Sequence, residues 1–263
     1  MDALIDQYTG ADEDSRLTRQ YIAQIEFNTT MAKLKPYLKP SCYVTELGAA
    51  TGRYSLTFAN MGLTTTAVEL VPDQVRILKE KAAQQNLDLA IYQGDACDVP
   101  FIDDHSQDVC VILGPLYHLQ SQELREQAIA EARRILKPGG IVAVAYISRF
   151  FIAGMFTQKF PELVTPDVYS KLLNEGVVTS DAADRFFQVG YFATPTEMEE
   201  LVEGQGFKLV SHIATDTFSR YIADGINPMT PEQYQAWFEY HLQTCDEPTL
   251  LGSSNHGLII AQC

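Results

Sequence analysis

Two glycines and a carboxylate in the first third of the chain have the types and spacing to hold a nucleoside. Residues 43–54 contain a short apolar run, then Gly48 and Gly52, then a segment that can begin a helix. Because glycine has no side chain, these positions let the backbone bend tightly and approach a ligand. Glu69 ends the next apolar run, about 20 residues after Gly48, where a carboxylate can bind both hydroxyls of a ribose. The pattern predicts a nucleoside-binding crevice at the carboxyl ends of neighbouring parallel strands.

The turn between these runs differs from a dinucleotide-binding turn. A dinucleotide fingerprint reads G-x-G-x-x-G and frames a pyrophosphate at a helix N-terminus. Here Ala50 stands in place of the middle glycine, and Glu46 lies shortly before Gly48. A carboxylate aimed into the turn would repel a pyrophosphate, whereas it suits a ligand that carries an ammonium and a sulfonium. The turn favours such a cationic nucleoside, and a glycine turn of some other α/β protein is the alternative for this motif alone.

The first motif resembles that of the class I S-adenosylmethionine (SAM)-dependent methyltransferases, an acidic residue followed by G-x-G-x-G. Three later segments resemble further landmarks of this family in the same order, at residues 92–96, 108–119 and 133–147. The resemblance extends over residues 43–147 and, more loosely, over the carboxyl-terminal part of the sheet. It implies SAM as the cofactor, S-adenosylhomocysteine (SAH) as its product, and a reaction that needs no metal ion.

The resemblance also implies roles for individual residues around the cofactor. Glu69 is expected to bind the ribose and Asp95 the adenine amino group, while Gly48 and Gly52 let the backbone approach the ligand. The complete predicted cofactor set is Glu46, Gly48, Ala50, Gly52, Glu69, Leu70, Asp95, Ala96, Leu113 and Gly114.

Tyr117 and His118 are the catalytic candidates, because they follow Gly114 in the loop that borders the transferred methyl group in this family. A histidine there can take a proton from an attacking hydroxyl or amine, since its ordinary pKa of about 6.5 suits that task. The alternative is that His118 packs on the next helix. Tyr117 either lines the pocket or simply fills it.

The substrate pocket is predicted from two segments outside the cofactor motifs. The amino-terminal segment is expected to form a helical lid, although a packed helix explains the same residues, among them Tyr21 and Glu26. The aromatic-rich segment 148–194 either binds substrate or forms core, and His256 is expected to be structural. The predicted substrate residues are Tyr8, Arg16, Arg149, Tyr191 and Phe192.

The elements that must position these residues alternate between strand and helix. Strands are predicted near 43–47, 64–69, 88–93, 108–113 and 141–147, with helices near 53–61, 73–86 and 121–136. Asp73 is the predicted N-cap of the second of these helices, and Thr194 the N-cap of a later helix that begins at Pro195. Two further strands and another helix complete the chain. The fold class is α/β, a seven-stranded doubly wound Rossmann-like sheet with an antiparallel carboxyl-terminal hairpin and helical insertions.

A single domain is expected, divided into four segments. They are a helical lid at 1–40, a SAM-binding core at 41–147, a substrate-recognition insertion at 148–194, and the end of the sheet with a helical insert at 195–263.

Composition narrows the partners. The formal net charge of −15 over 263 residues makes a nucleic-acid substrate unlikely, since phosphate backbones are bound by lysine and arginine. Five cysteines without C-x-x-C spacing favour reduced thiols and no zinc site. No signal-peptide pattern or membrane-length apolar run is present, so a cytoplasmic location is expected. The expected oligomeric state is a monomer or a homodimer.

The sequence thus predicts methyl transfer from SAM to a small molecule, by in-line displacement at the sulfonium methyl. The loop after the fourth strand has no N-P-P-Y motif and no Pro-Cys pair, which disfavours methylation of bases. Three alternatives stay open at this point. They are an RNA methyltransferase, a SAM-binding regulator without catalysis, and an NAD(P)-dependent oxidoreductase.

Overall fold

One seven-stranded sheet organises the chain, in a computed structural model that describes residues 20–178 and 190–263. The strands are β1 (Tyr43–Leu47), β2 (Thr64–Glu69), β3 (Ala90–Gln93), β4 (Gln107–Ile112), β5 (Leu136–Ile147), β6 (Lys208–Ala214) and β7 (His256–Gln262). Their order across the sheet is β3-β2-β1-β4-β5-β7-β6. Strands β1 to β5 pair in parallel, and β7 pairs antiparallel with both β5 and β6. The predicted fold class is confirmed.

The described residues also form α-helices that connect the strands and cover the sheet. They are α1 (Tyr21–Leu34), α2 (Arg53–Asn60), α3 (Pro72–Gln84), α4 (Gln122–Ile135), α5 (Arg149–Lys159), α6 (Pro166–Glu175), α7 (Pro195–Gly204), α8 (Ala223–Ile226) and α9 (Pro231–Thr244). A short 3-10 turn, Pro115–Tyr117, follows β4. None of the helices within the described ranges has the length and apolarity needed to cross a membrane.

The sheet is buried on both faces because most side chains of its central strands are apolar. Successive side chains of a strand point to opposite faces. In β4, Cys110 and Ile112 accordingly join one hydrophobic cluster, whereas Val109 and Val111 join the other. The first cluster includes residues of α4, and the second includes residues of α1 and α2. Helices on both faces are what a largely parallel sheet requires.

The predicted N-cap residue is confirmed for α7 and is wrong for α3. Thr194 caps α7 with a complete capping box, and Pro195 occupies its first position, as predicted. Asp73 is not the N-cap of α3, because Val71 holds that position and Pro72 begins the helix. Proline at the first helical position fits its fixed φ, which places Asp73 inside the first turn. Its carboxylate there accepts from Arg76 Nη2 at 2.7 Å.

Strand β5 begins five residues earlier than the predicted start at 141. It takes in the segment Lys137-Pro-Gly-Gly140, which the sequence favours as a turn. Pairing with β4 is irregular there, with a register shift between Gln107 and Val109. The irregularity accommodates a proline, which has no N–H to donate to a ladder.

Helical structure in the insertion is confirmed where the chain is described. Helices α5 and α6 pack Phe151, Phe156 and Leu172 into a third cluster together with Tyr117 and Phe192. Residues 179–189, which include the aromatic positions 186 and 187, lie outside the described residues. The insertion therefore packs against the loop that follows β4.

Candidate cofactor site

An open cavity of about 1040 Å³ lies at the carboxyl ends of β1, β2 and β4. Nine of the ten predicted cofactor residues line it, and so do Tyr117 and His118. The nine are Glu46, Gly48, Ala50, Glu69, Leu70, Asp95, Ala96, Leu113 and Gly114. The structure therefore gathers the residues of four separate motifs around one cavity, and their contacts with a ligand stay predictions.

The Glu69 carboxylate is held in place by two backbone N–H groups, one to each of its oxygens. Its Oε2 accepts from the Ala50 N–H at 2.7 Å, and its Oε1 accepts from the Val71 N–H at 2.8 Å. The residue is only 7% exposed, yet it lines the cavity. Each carboxylate oxygen has a second lone pair, so the hydroxyls of a ribose can donate to a group whose direction is already set.

The turn after β1 has the left-handed backbone that its glycine predicts. Gly48 has φ +79°, and a Cβ there would lie 2.4 Å from Cγ of Pro115. Its N–H and that of Ala49 both donate to the Val68 carbonyl, at 2.8 and 3.0 Å. Glycine at this position therefore lets the loops after β1 and β4 approach each other beside the cavity. Ala50 adopts φ +45° although it carries a side chain.

Gly52 does not line the cavity, so its predicted approach to a ligand is corrected. It has φ +89°, and a Cβ there would lie 2.1 Å from Cδ1 of Leu78 in α3. The absence of a side chain at Gly52 thus serves the packing of α3 against the start of α2.

Glu46 is a buried carboxyl group that is hydrogen-bonded to Ser55. The Ser55 N–H donates to it at 2.8 Å, and the Ser55 hydroxyl donates to the same oxygen. Burial raises the pKa of Glu46 to about 8, with a further rise from Glu69 and a partial offset from the two hydrogen bonds. A cation entering the cavity would favour its ionised form.

The end of the cavity near β3 contains Asp95 and several residues that sequence reasoning missed. Asp95 Oδ1 accepts from the Cys97 N–H at 3.0 Å. Gln74, Val71 and Gly94 complete this end of the lining. Each lies within a few residues of a recognised motif, and Gln74 faces the cavity from the first turn of α3. The signal that would have found Gln74 is the predicted helix start itself, because first-turn residues border the crevice.

The opposite end of the cavity is formed by the loop after β4 and the start of α2. The Tyr117 hydroxyl donates to the Leu113 carbonyl at 3.2 Å, and its ring meets that of His118 edge-on at 4.8 Å. Tyr117 both lines the cavity and belongs to the third hydrophobic cluster, so the two alternatives for it coexist. Arg53 and Tyr54 also line this region.

The predicted substrate residues of the insertion do not line this cavity, and their role in acceptor binding stays a prediction. Arg149 is 5% exposed and donates to the carbonyls of Phe192 and Leu173 at 2.9 and 2.8 Å, and to the Glu197 carboxylate at 2.7 Å. The Phe192 side chain is fully buried, and the Tyr191 hydroxyl donates to Glu197. These residues form a junction between α5, α6 and α7, because a buried guanidinium needs several acceptors.

The amino-terminal helix is packed where it is described. Tyr21 stacks on Tyr234 of α9 with ring centroids 4.1 Å apart, and Glu26 pairs with Arg220. Phe27 lies between Tyr54, at 4.9 Å, and the Arg53 guanidinium, at 4.1 Å, both of which line the cavity. Tyr8 and Arg16 lie outside the described residues, so their place in a lid stays a prediction.

Part of the chain is similar in sequence to known methyltransferases. Residues 45–144 match the model of a family described as methyltransferase domain. A protein of Mycobacterium tuberculosis without an assigned function is 29% identical over 120 residues, which are 43% of this chain and 42% of that protein. The demethylmenaquinone methyltransferase of Renibacterium salmoninarum is 29% identical over 109 residues, 41% of this chain and 43% of that enzyme. The chain thus spans about two fifths of the length of the curated relatives it matches.

A solved structure extends the likeness to the whole fold. A SAM-dependent methyltransferase from Methanosarcina mazei superposes with a TM-score of 0.60 at 16% identity, over 88% of this chain and 96% of that one. Sheet order, domain match and superposition agree. Residues 45–144 therefore match a methyltransferase domain, and the chain has the fold of a SAM-dependent methyltransferase.

Proposed function

We propose that this protein transfers a methyl group from SAM to a small-molecule acceptor. The observation that carries the proposal is one cavity at adjacent strand ends, with a ribose-type carboxylate, Glu69, beside a second buried carboxyl group, Glu46. These two groups favour a cationic nucleoside over a pyrophosphate, because a cation is attracted to Glu69 and favours the ionised form of Glu46. This argues against the NAD(P)-dependent alternative.

SAM, when bound, supplies an electrophilic methyl group and a neutral leaving group. The residues of the chain then have to bind and orient SAM and the acceptor, and they have to exclude water. Glu69 is pre-oriented by two backbone N–H groups, and the buried walls at Tyr117 and Tyr54 shield the other end of the cavity. Orientation of this kind contributes about 7–11 kcal/mol to lowering a barrier when the reacting atoms are well aligned. His118 lines the same end and is the candidate to accept a proton from the acceptor.

A small molecule is the proposed acceptor for two reasons. The net charge of −15 opposes the approach of a nucleic-acid backbone. The Renibacterium relative is named for its action on demethylmenaquinone, which is a small molecule. The insertion at 148–194 keeps a proposed role in acceptor recognition, because its third hydrophobic cluster includes Tyr117 of the cavity wall.

Two measurements test the proposal. Calorimetry with SAM, SAH and NADH is expected to show binding of the first two only. Incubation with methyl-labelled SAM and a metabolite extract is expected to label a small molecule, whereas an RNA pool stays unlabelled. Binding of SAH without transfer to any pool would favour the non-catalytic regulator, and labelled RNA would favour the nucleic-acid alternative.

The compartment is proposed separately. All five cysteines are unpaired thiols, and free thiols are typical of a reducing cytoplasm. A monomer or homodimer is the proposed state, which sedimentation would distinguish.

A further inference from the structure

A buried cluster of four charged side chains lies beneath α1, outside the cavity. Glu26 comes from α1, Asp216 and Arg220 from the segment after β6, and His256 from the start of β7. Arg220 Nη2 is 3.1 Å from Glu26 Oε2, and Arg220 Nε is 2.5 Å from Asp216 Oδ2. His256 Nδ1 is 3.1 Å from Glu26 Oε2 and 3.9 Å from Asp216 Oδ2. Glu26, Asp216 and His256 are each less than 9% exposed.

The cluster balances its own charge. Burial lowers the pKa of His256, but the carboxylates of Glu26 and Asp216 outweigh burial and hold that pKa above its usual value. Burial likewise acts to raise the pKa of Asp216, but Arg220 and His256 hold it well below its usual range. The Arg220 guanidinium and the His256 imidazole therefore both face the two carboxylates. Glu26, Asp216 and His256 are close enough together to ligate a metal ion, but the Arg220 guanidinium already contacts both carboxylates, so we assign no metal there.

Asp216 also sets where His256 lies. Its Oδ1 accepts from the Ser254 hydroxyl at 2.6 Å and from the Asn255 N–H at 2.8 Å. These contacts fix the chain immediately before His256, the first residue of β7. The imidazole is thus held from α1, from the segment after β6 and from its own strand. A ring restrained on several sides provides a firm surface for whatever packs against it.

Tyr117 is the cavity residue that packs against this imidazole. The two rings meet at 61° with centroids 6.2 Å apart, which is within the range of edge-to-face contacts. On its other side Tyr117 contacts His118 and lines the cavity near Leu113 and Gly114. His256 does not line the cavity itself. The Tyr117 ring therefore lies between the charged cluster and the end of the cavity where the acceptor is expected.

We propose that His256 is a positioning residue for methyl transfer, which acts by holding the Tyr117 ring in place at the acceptor end of the cavity. The inference rests on the proposed function. It predicts that loss of the imidazole disturbs Tyr117 and the transfer rate while leaving cofactor affinity nearly unchanged.

The test compares the full-length protein with the His256→Gln variant, both with ring-13C-labelled tyrosine. The Tyr117 signal is assigned by its loss in Tyr117→Phe. In His256→Gln we expect this signal to shift or split on addition of SAH. Transfer from labelled SAM to a metabolite extract is expected to fall by about tenfold to a hundredfold, because small displacements near reacting atoms have effects of that size. The SAH dissociation constant, measured by calorimetry, is expected to change by less than about twofold, because the variant leaves the residues proposed to bind the cofactor unchanged.

A matched control is available on the other side of the fold. His212 also pairs with a carboxylate, Glu199, at 2.7 Å, and contacts a tyrosine ring, Tyr146, with centroids 5.6 Å apart. Tyr146 does not line the cavity. His212→Gln is therefore expected to leave both the Tyr117 signal and the transfer rate as in the wild type.

The outcomes separate the two proposals. If His256→Gln fails to fold, Glu26→Gln removes the closest carboxylate partner and is expected to shift the same Tyr117 signal and slow transfer. A wild-type Tyr117 signal and rate in the folded variant overturns the positioning role alone. A wild-type protein that neither binds SAH nor transfers a labelled methyl group overturns the proposed function, and the positioning role with it.

Discussion

Glu46 is the residue whose protonation state matters most for a cationic ligand. Its pKa of about 8 means that the carboxyl is largely protonated at pH 6 and ionises as the pH rises. The ionised form attracts SAM, which carries one more positive charge than SAH. We therefore expect SAM affinity to rise between pH 6 and 7.5, by up to about tenfold per pH unit, with release of a proton on binding. Calorimetry in buffers of different ionisation enthalpy measures both quantities.

Glu46→Gln is the control for that titration. The amide keeps the shape and can still accept from Ser55, but it has no proton to release. Its SAM affinity is expected to be flat over the same pH range. An equal pH slope in the variant would show that another group titrates.

Ala50 stands where the G-x-G-x-G motif has its middle glycine, and its backbone conformation is energetically unfavourable. A non-glycine residue at φ +45° is disfavoured by about 1–2 kcal/mol. Glycine relieves that strain but adds about 0.4–1 kcal/mol of unfolded-state entropy. Ala50→Gly is therefore expected to be neutral or stabilising by up to about 1 kcal/mol in urea denaturation.

The exposed Ala83 in α3 provides the comparison for Ala50. Its backbone is helical, so Ala83→Gly is expected to destabilise the protein by about 0.5–1 kcal/mol. Equal losses at both positions would contradict the strained conformation at Ala50.

At the scale of elements, Gly52 decides how α2 and α3 pack beside the cavity. Gly52→Ala adds a Cβ at 2.1 Å from Leu78 and forces a side chain onto φ +89°. Gly62→Ala imposes a similar strain, at φ +79°, with no atom within 4 Å of the new Cβ. We expect Gly62→Ala to cost about 1–2 kcal/mol and Gly52→Ala to cost about 1–3 kcal/mol more, since overpacking adds to the strain.

The free energy of unfolding of the two glycine variants, measured by urea denaturation, checks this difference. Equal destabilisation would show that α3 yields to the added methyl group. SAH affinity of Gly52→Ala is a second readout, because Gln74 and Val71 of the cavity wall move with α3.

Elements were predictable from sequence where the signal is local. Thr194 caps α7 and Pro195 is its first residue, so two adjacent residues were sufficient to predict where this helix begins. At α3 two local signals competed, and Pro72 displaced Asp73 from the cap because its φ is fixed. The parallel pairing of the first five strands was predictable from the alternation of elements, since parallel strands need crossover connections.

At the scale of the whole molecule, the cavity residues were found because they follow strand ends in one sheet. Arg149 and Phe192 lie away from the cavity lining, which composition could not indicate because it does not say which face of an element meets the cavity. The contact of Glu26 with Arg220 joins residues 194 positions apart, and no local pattern indicates it. Long-range polar partners of this kind require the folded chain.

Ligand binding provides the prediction that involves the entire fold. A ligand that binds only the folded state stabilises it by about 2.7 kcal/mol at a hundred times its dissociation constant. For a chain of this size, 1 kcal/mol corresponds to about 2–4 °C in Tm. SAH at that excess is therefore expected to raise Tm by about 5–11 °C in scanning calorimetry. Glu69→Gln, tested at the same SAH concentration, is expected to lose most of the shift, because a charged hydrogen-bond acceptor contributes about 1.5–3 kcal/mol. Asp73→Asn alters the ion pair between Asp73 and Arg76 on α3 and should retain the shift, so its loss there would contradict a specific role for Glu69.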